Sequence, residues 1–325
     1  MSTIDFHNHV YPQEYVDEIQ KGPSAYSVTF DSDNNPVLHS PGDYNILVPG
    51  HRLMDYRQSV LDKAGLDKQI ISFTAPGTLI ETPERSTELC KKVNDNFAKI
   101  QSDYNAFPAL ATLPLNNPHA VVAELERAIS ELAFKGATLF SNANGVALSD
   151  KRFWPLYEKA NELNVVFFIH PTYPVGVEAM TEYMLMPLVG FLADTTLAVA
   201  SLVFSGVVEK FPNIKWVLGH LGGAVPYLSE RFDRGYEAFE QCRKNISKPP
   251  SQYLKEFYYD TVNFDVNALQ FALKFAGSDH LVAGSDYPHQ IGSIEKMLAS
   301  IEKLNIPKEE KTGILGGNAE KLLGL

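Results

Sequence analysis

The chain has 325 residues, of which 45% are hydrophobic and 21% are charged, so it can bury a large core. Its 28 basic and 39 acidic side chains give a net charge of −11, which disfavours a nucleic-acid partner because phosphates carry the same sign. The most apolar stretch, residues 184–208, is interrupted by Pro187, Gly190 and Asp194, which disfavours a membrane span.

Short β-branched or aromatic segments alternate with amphipathic helical segments along the chain. This alternation is typical of βα units and a parallel sheet. The pattern predicts strands at residues 3–9, 69–73, 106–111, 136–140, 165–170, 215–220, 257–262 and 280–286.

Between these strands, the sequence contains residue pairs that are typical of helix N-termini. Thr82 followed by Pro83 predicts an N-cap and a first helical residue, and Asn117 with Pro118 repeats the pair. Two further helices are predicted at residues 150–163 and 193–211.

Eight βα units favour one closed (β/α)8 TIM barrel, a single domain over residues 1–325. An open doubly wound sheet would show the same alternation, and the length alone also fits two domains. The connections 10–68 and 171–186 are longer than ordinary loops. We therefore expect a distorted α/β barrel with insertions after strands 1 and 5 that cover one end.

The cysteines and the first residues predict a cytoplasmic protein. Cys90 and Cys242 are too few for a disulfide framework, and their separation is not that of a metal knuckle. Cys90 lies on a predicted helix without a neighbouring base, so a structural role is expected. No basic and then apolar run typical of a secretory signal follows Met1.

The first predicted strand ends in His7-Asn8-His9. Side chains two residues apart on a strand point to the same side, so both imidazoles face one point, as two ligands of one metal must. With nine histidines in the chain, this pair alone is a weak signal. Two surface or turn histidines explain it equally well.

Three further polar residues stand at predicted strand ends, because His170, His220 and Asp286 each end a short apolar run. The carboxyl ends of barrel strands meet at one mouth, where barrel enzymes carry their catalytic residues. Three imidazoles and a carboxylate suit a divalent ion of the zinc type that keeps one position open for water. Each residue taken alone is equally consistent with a hydrogen-bonded structural role.

These motifs together resemble the amidohydrolase superfamily, in the branch that contains aminocarboxymuconate-semialdehyde decarboxylase and related aromatic-acid decarboxylases. The resemblance covers nearly the whole chain, including the segment 211–215 before strand six and the closing segment 317–319. Its motifs are His7-x-His9, His170-Pro171, His220-x-Gly222-Gly223 and Gly284-Ser285-Asp286-x-Pro288.

The resemblance implies one divalent metal per chain, with zinc the first expectation and manganese the alternative. It also implies that His220 handles the proton of metal-bound water. Superfamily members with two metals carry a bridging carbamylated lysine at the end of strand four, whereas Lys135 lies at the opposite end of that strand here. The implied metal ligands are His7, His9, His170 and Asp286.

Arg231 matches an arginine that, in the decarboxylase branch, reaches into a neighbouring subunit's site and holds a substrate carboxylate. This match predicts a homodimer or a larger homo-oligomer, although Arg231 also fits a solvated surface charge. A second carboxylate-binding arginine of the branch is replaced here by Asn45, and neither Arg52 nor Arg57 occupies that position. The replacement favours a monocarboxylate substrate, because a dicarboxylate normally pairs with two cations.

Four more residues are candidates by position. Tyr173 and Tyr287 neighbour the expected ligands and could line the pocket, while Asp260 and His289 could orient the ligands. Ordinary packing or exposure explains each of them equally well.

The resemblance favours a metal-dependent, non-oxidative decarboxylase of a small aromatic or unsaturated, hydroxylated carboxylic acid. His220 and Asp286 are the candidates for delivering the proton to the carbon that loses CO₂. Hydrolysis of a lactone, amide or ester by the same site is the second hypothesis. A catalytically silent barrel that acts as a binding protein is the third, and the presence of all five polar site residues argues against it.

Overall fold

The computed structural model describes residues 2–40 and 43–325. Parallel strands form the centre of this part of the chain, and they agree in number and order with the predicted set. Their bounds are Ile4–His9, Lys68–Ser72, Ala111–Thr112, Gly136–Phe140, Val166–His170, Lys215–Leu218, Tyr258–Asp260 and Leu281–Val282.

The strands close on themselves in chain order. The third to the eighth strand form one parallel sheet, and the first strand pairs with the second. The Ile71 to Ala109 bridge joins the second strand to the residues before the third, and the Asn8 to Tyr287 bridge joins the first strand to the residues after the eighth. Both bridges are parallel, so the sheet is a closed TIM barrel and the open-sheet alternative is wrong.

Two apolar clusters hold the barrel together. The smaller one is built mostly from strand residues such as Phe6, Val166 and Val217, and the C-terminal helix Asn318–Leu323 packs against it through Leu323. The larger one joins the outer side of the strands to the surrounding helices. This double packing is what fixes the carboxyl ends of the strands relative to one another.

Helices fill most connections. The α-helices are Gln13–Lys21, Pro49–Arg52, Met54–Ala64, Pro83–Asp103, Val121–Ser130, Trp154–Glu162, Phe191–Phe204, Val207–Lys210, Val225–Ala238, Glu240–Arg243, Pro250–Leu254, Val266–Ala276, Ile294–Glu302, Lys308–Thr312 and Asn318–Leu323. Single 3₁₀ or π turns are Lys151–Phe153, Val177–Ala179, Met186–Gly190, His220–Gly222, Ser278–His280 and Gly313–Gly317.

Two predicted helix boundaries are wrong. The helix expected after Asn117 begins only at Val121, because residues 117–120 form a separate turn and the Asn117 side chain donates to Thr87 Oγ1 at 2.9 Å. The helix expected at 193–211 ends at Phe204, since Gly206 adopts a left-handed φ of 82°. The N-cap at Thr82 is confirmed, as its side chain accepts from the Arg85 N–H at 3.3 Å.

The two long connections both begin at the carboxyl ends of their strands. Residues 10–67 carry an antiparallel sheet made of Ser27–Phe30, Pro36–Ser40 and Asp43–Ile46. The connection after the fifth strand carries the turns Val177–Ala179 and Met186–Gly190. The Ser40 hydroxyl and the Tyr173 hydroxyl are hydrogen-bonded, so the two connections touch.

The segment Met186–Phe204 is, by length and composition, able to cross a membrane, with a mean hydropathy of 1.7. Buried helices of globular proteins meet the same criterion. About 44% of this stretch is buried, and its inward face includes Asp194, Val199 and Leu202.

Candidate active site

Four histidines and one aspartate meet at the carboxyl ends of the barrel strands. His9 Nε2 lies 3.1 Å from His7 Nε2 and 3.1 Å from Asp286 Oδ1. The His170 ring centre is 4.7 Å from that of His9, and His220 Nε2 is 3.8 Å from Asp286 Oδ2. All five residues are buried. Because they lie this close together, the residues predicted from strand ends form one cluster in the folded chain.

The donor set of this cluster fits a divalent metal ion. One ligand atom each from His7, His170, His220 and Asp286 lies within 4.8 Å of the others. His170 Nε2 is fully buried and has no hydrogen-bond partner among the described residues. A buried polar atom without a hydrogen-bond partner costs free energy. Because His170 Nε2 lies among imidazole nitrogens and a carboxylate, we interpret it as a metal ligand.

Asp260 holds the cluster in place from behind. Its carboxylate accepts a hydrogen bond from His7 Nδ1, which turns His7 Nε2 toward the centre. It also accepts from the backbone N–H groups of His220 at 2.9 Å and Leu221 at 2.8 Å. Both of these residues have a left-handed backbone, with φ of 53° and 56°, which is uncommon outside glycine. The two hydrogen bonds stabilise that conformation, so Asp260 orients His7 and His220 together.

The protonation state of each residue in the cluster depends on the charges of its neighbours. Burial disfavours a charged His7, but the carboxylates of Asp260 and Asp286 outweigh it and raise the pKa of His7 to about 10. Burial also disfavours a charged Asp286, yet the neighbouring imidazoles of His220, His7 and His9 hold its pKa well below the usual range. Burial first, and then neighbouring imidazoles, lower the pKa of His9 and His170. His9, His170 and Asp286 thus favour a neutral imidazole or an ionised carboxylate, which are the metal-ligating forms. His7 favours its protonated form beside the two carboxylates, so it has to release a proton when it binds a metal.

Arg57 supports the strand that carries His7 and His9. Its guanidinium is fully buried and donates to the carbonyl oxygens of His9 at 2.8 Å and Gly50 at 2.7 Å. It also donates to the Asn8 side chain and to Gln69 Oε1, the latter at 2.7 Å. The sequence indicated only that Arg57 does not occupy the position of the branch's second carboxylate-binding arginine. In the structure, the Arg57 N–H groups instead donate hydrogen bonds to the His-x-His segment and stabilise its backbone.

A second buried chain of hydrogen bonds continues from Arg57. Gln69 donates to Asp5 Oδ2 at 2.8 Å, and the Ser285 hydroxyl donates to the same oxygen at 2.6 Å. Burial raises the pKa of Asp5 to about 6, against the opposing effect of Ser285, Gln69 and Arg57. Since Ser285 directly precedes Asp286, this chain links the first strand to the residue that carries the carboxylate.

Tyr173 lies near the cluster but not in it. It lines a cavity of about 170 Å³ together with Pro76, Asn142 and Thr172. The chain leads from His170 to this cavity within two residues, since Thr172 is one of its lining residues, whereas His170 itself does not line it. Burial raises the pKa of Tyr173 to about 12, so its hydroxyl stays protonated.

Arg231 is not brought into the cluster. It lies on Val225–Ala238, the helix that follows His220, and its side chain is exposed. Among residues 2–40 and 43–325 it forms no salt bridge. The helix also exposes Tyr227, one turn earlier, at 79%.

Two further imidazoles, His289 and His51, lie beside the five residues of the cluster. The ring of His289 is 4.9 Å from that of His9, and the ring of His51 is 5.2 Å from that of His289. His289 was a candidate by its distance from Asp286 in sequence. His51 was missed because it lies in the long connection, where no strand end marks it.

Residues 4–325 match the Amidohydrolase family. The chain belongs to this family. It is 30% identical to the 2-amino-3-carboxymuconate-6-semialdehyde decarboxylase of Dictyostelium discoideum, over 99% of this chain and 91% of that protein. It is 29% identical to the gamma-resorcylate decarboxylase of Polaromonas sp., over 84% of this chain and 88% of that protein.

A solved structure shares both the fold and some sequence with this amidohydrolase. It is a dihydroxybenzoic acid decarboxylase from Polaromonas sp. with bound manganese and the inhibitor 2-nitroresorcinol. The TM-score is 0.83 at 25% identity, and the alignment covers 100% of this chain and 97% of that one. The barrel described above is therefore the family's fold, and the predicted membership of the decarboxylase-containing branch is confirmed.

Proposed function

We propose that the protein is a metal-dependent, non-oxidative decarboxylase of a small aromatic or unsaturated carboxylic acid. The observation that carries this proposal is the buried convergence of His7, His9, His170, His220 and Asp286 at one mouth of the barrel. The relatives from Dictyostelium discoideum and Polaromonas are decarboxylases by name, which favours carbon–carbon cleavage over hydrolysis.

The proposed metal ligands are His7, His9, His170 and Asp286. A bound divalent ion would supply Lewis-acid chemistry, which polarises a carboxylate, an adjacent hydroxyl or a water molecule. We propose zinc, because three imidazole nitrogens and one carboxylate are a common zinc donor set. Manganese is the alternative, and the related Polaromonas structure holds it.

His220 and Asp286 are proposed to act as one proton-transfer pair. Decarboxylation breaks the bond between the ring carbon and the carboxylate, releases CO₂ and leaves an electron pair that takes up a proton. His220 Nε2 lies 3.8 Å from Asp286 Oδ2, which is longer than a direct hydrogen bond, so both groups face the same point and the proton passes between them through the bound substrate or after a small shift of one side chain. The backbone hydrogen bonds to Asp260 keep His220 in position for this transfer.

We propose a monocarboxylate as the substrate. Tyr173 and the cavity that it lines are proposed to contact the ring, and the two long connections are proposed to be insertions that cover it. Arg57 is buried behind the His-x-His segment, where backbone and side-chain oxygens occupy its N–H groups. It therefore offers no cation to a second substrate carboxylate.

The exposed Arg231 is proposed to complete the site of a partner subunit in a homodimer. Its helix presents Tyr227 on the same side, one turn away. The neighbouring segment exposes Leu188 at 53%, Val189 at 52% and Leu197 at 55%. The helix that carries Leu197 contacts the helix that carries Arg231. Exposed apolar side chains on neighbouring helices, together with an arginine that forms no salt bridge among the described residues, are typical of a protein interface.

Two properties of the whole chain, its domain organisation and its location in the cell, are also proposed. We propose that the chain forms a single domain, since one apolar cluster contains residues from the first connection to the last helices. We propose a cytoplasmic location, which is supported by the unpaired Cys90 and Cys242.

Product analysis tests the proposed activity directly. The metal-loaded protein should release CO₂ from at least one hydroxybenzoate and leave simple lactones, amides and esters intact. Ring opening or ester cleavage without CO₂ release would instead identify a hydrolase. Binding of these acids without any turnover, by protein of full metal content, would favour the silent binding protein.

A further inference from the structure

The Nδ1 atoms of the proposed ligand histidines face acceptors outside the metal cluster. The His7 Nδ1 lies against the Asp260 carboxylate, and His170 Nδ1 lies 2.8 Å from the carbonyl oxygen of Pro171. When Nε2 of a neutral imidazole binds a metal, the ring proton is on Nδ1, which then needs an acceptor. A carbonyl oxygen or an ionised carboxylate has no proton to donate, so each of these two histidines meets a group that can only accept.

His9 differs from the other two histidines, because its Nδ1 faces a hydroxyl group. Ser72 Oγ lies 3.1 Å from His9 Nδ1, and the Ser72 side chain is fully buried. A hydroxyl group both donates and accepts hydrogen bonds. It therefore fixes the position of the ring proton only if its own proton is engaged elsewhere.

A backbone carbonyl engages the proton of Ser72. The hydroxyl donates to the carbonyl oxygen of Asn8 at 2.8 Å, a shorter distance than the 3.1 Å to His9 Nδ1. Since a hydroxyl has one proton, the Ser72 oxygen then presents a lone pair to the imidazole. The ring proton of His9 thus belongs on Nδ1. The lone pair of Nε2 is directed into the cluster, where Nε2 lies 3.1 Å from both His7 Nε2 and Asp286 Oδ1.

Pairing between the first two barrel strands holds the hydroxyl in this place. Ser72 ends the strand Lys68–Ser72 and pairs with His9, which ends the strand Ile4–His9. The Val10 N–H donates to the Ser72 carbonyl oxygen at 2.9 Å. The backbones on both sides of the contact are therefore fixed by the barrel itself.

We propose that Ser72 is a positioning residue of the metal centre, which holds His9 with its proton on Nδ1 and its Nε2 toward the metal. The inference rests on the proposed function, because it takes His9 as a metal ligand. The second barrel strand carries none of the proposed ligands. Its part in the metal centre is to direct a ligand of the first strand.

Removal of the hydroxyl tests this role through metal affinity. Ser72→Ala leaves the buried Nδ1–H of His9 without an acceptor in the metal-bound protein. Zinc should then bind about 10–100-fold more weakly, the typical effect of losing such a partner. Competition with a chelator measures the affinity. Ser72→Thr keeps the hydroxyl and should recover most of the loss. Thermal melting of the metal-free protein shows whether each variant folds.

Thr74→Val is the matched control. Thr74 lies two residues after Ser72 and is also buried, and its Oγ1 is 3.3 Å from Nδ1 of another proposed ligand, His170. When this hydroxyl is removed, His170 Nδ1 keeps its acceptor at 2.8 Å, the Pro171 carbonyl oxygen. Thr74→Val should therefore leave zinc affinity unchanged.

Nuclear magnetic resonance separates a positioning role from a merely structural one. Ring N–H groups that are buried and hydrogen-bonded exchange slowly with water, so isotope-labelled histidine makes them visible in the zinc-loaded protein. Ser72→Ala should shift or broaden the ring N–H signal of His9 and leave the signals of His7 and His170 in place. Ser72→Thr should retain all three signals. A general disturbance of the barrel would move all of them.

The outcomes separate the role of Ser72 from the proposed activity. Equal zinc affinities in wild type and Ser72→Ala, equal losses in Ser72→Ala and Thr74→Val, or ring N–H signals that all stay or all move in Ser72→Ala overturn the role, even in an active decarboxylase. A loss of affinity confined to Ser72→Ala, with one altered N–H signal, supports it. The same loss in a protein that releases CO₂ from no acid contradicts the decarboxylase alone.

Folding of the variants does not leave the role undecided. If Ser72→Ala does not fold, Ser72→Cys replaces it, because a thiol is only a weak acceptor. If Ser72→Thr does not fold, the comparison of Ser72→Ala with Thr74→Val and the N–H signals decide. Wild-type protein that binds no divalent metal overturns the role of Ser72 together with the ligand set.

Discussion

At the scale of single residues, two titratable residues of the site have an uncommon backbone conformation. His220 and Asp286 both have a left-handed backbone, with φ of 53° and 58°. Such conformations cost about 1–3 kcal/mol each and persist only where the surroundings enforce them. Asp260 supplies this enforcement at His220, and the carbonyl oxygen of His7 accepts from the Asp286 N–H at 2.8 Å.

Asp260→Asn should weaken metal binding without unfolding the protein. Asp260 Oδ2 accepts from His7 Nδ1 and the His220 N–H, and Oδ1 accepts from the N–H groups of Leu221 and Val262. The amide has one acceptor oxygen instead of two, so its NH₂ group must face one of these two pairs of donors. Loss of an outer partner of a metal-ligating histidine typically costs about 10–100-fold in affinity. Titration with zinc against a competing chelator measures the effect.

Asp265→Asn is the matched control, because Asp265 is exposed and caps Val266–Ala276, and asparagine is an equally good N-cap. It should leave metal affinity unchanged. Equal affinities in wild type and Asp260→Asn would show that His7 needs no orienting carboxylate.

His220→Ala should keep the metal and lose most of the turnover. An acid/base residue typically contributes about 10²–10⁴ in rate. CO₂ release and elemental analysis are measured on the same preparation. A folded variant that lacks the metal would make His220 a ligand, a role its distance from Asp286 also permits.

His170→Ala should, by contrast, lower metal content, because the buried Nε2 of His170 is a proposed ligand. Full occupancy after this substitution would remove His170 from the ligand set.

The two cysteines should differ in reactivity. Burial raises the pKa of Cys90 to about 12, and Thr78 lies 3.2 Å from its sulfur, whereas Cys242 is half-exposed. A thiolate is the reactive form, so Cys90 should stay unlabelled at pH 8 and at pH 10. A thiol reagent should therefore modify Cys242 alone in native protein and both residues after unfolding. Rapid native labelling of Cys242→Ser would contradict this expectation.

At the scale of elements, sequence patterns located some strand ends and missed others. The apolar run that stops at His170 ends the fifth strand as predicted. The predicted end of the eighth strand at residue 286 is wrong, because that strand is only Leu281–Val282 and Asp286 follows in the loop. The third strand is Ala111–Thr112 rather than 106–111, because the preceding residues contribute only an isolated bridge through Ala109. Local spacing does not encode such pairing, which depends on the partner strand.

The same limit explains the missed residues of the site. Arg57 and His51 both lie in the connection between the first two barrel strands, and the sequence assigned neither of them to the site. Asp260 was a candidate by its place on the seventh strand, but its partner His7, 253 positions away, could not be identified. No periodicity links such positions to the metal cluster. Only the closed barrel brings them together, which is why ligands were predicted and their supports largely were not.

Gly206→Ala should destabilise the protein more than a matched glycine substitution. Gly206 and Gly145 have similar left-handed φ values, 82° and 80°. A Cβ at Gly206 would lie 2.5 Å from the Asn245 carbonyl oxygen, whereas nothing lies within 4 Å at Gly145.

Gly145→Ala should thus cost about 1–2 kcal/mol from backbone strain alone. Gly206→Ala should cost about 1–3 kcal/mol more from the added overlap. Urea unfolding measures both. Equal costs would mean that the segment around Asn245 moves freely.

At the scale of the whole molecule, the exposed Arg231 sets a testable requirement for assembly. A guanidinium fixes both the position and the plane of a carboxylate, so its loss should impair turnover strongly. Arg231→Ala should nevertheless keep its metal, since Arg231 lies outside the ligand cluster. Sedimentation of the wild-type protein should show a dimer or a larger assembly.

Mixing two inactive variants then distinguishes an active dimer from a structural arginine. A dimer of one Arg231→Ala chain and one His220→Ala chain retains one complete site, with His220 from the first chain and Arg231 from the second. Random exchange of equal amounts makes half of the dimers mixed, each with one working site of two. Activity should therefore rise to about a quarter of the wild-type value from two nearly inactive parents. If tagged subunits prove that exchange has occurred and activity stays at the parental level, Arg231 acts within its own chain or only supports the fold, and the shared site is wrong.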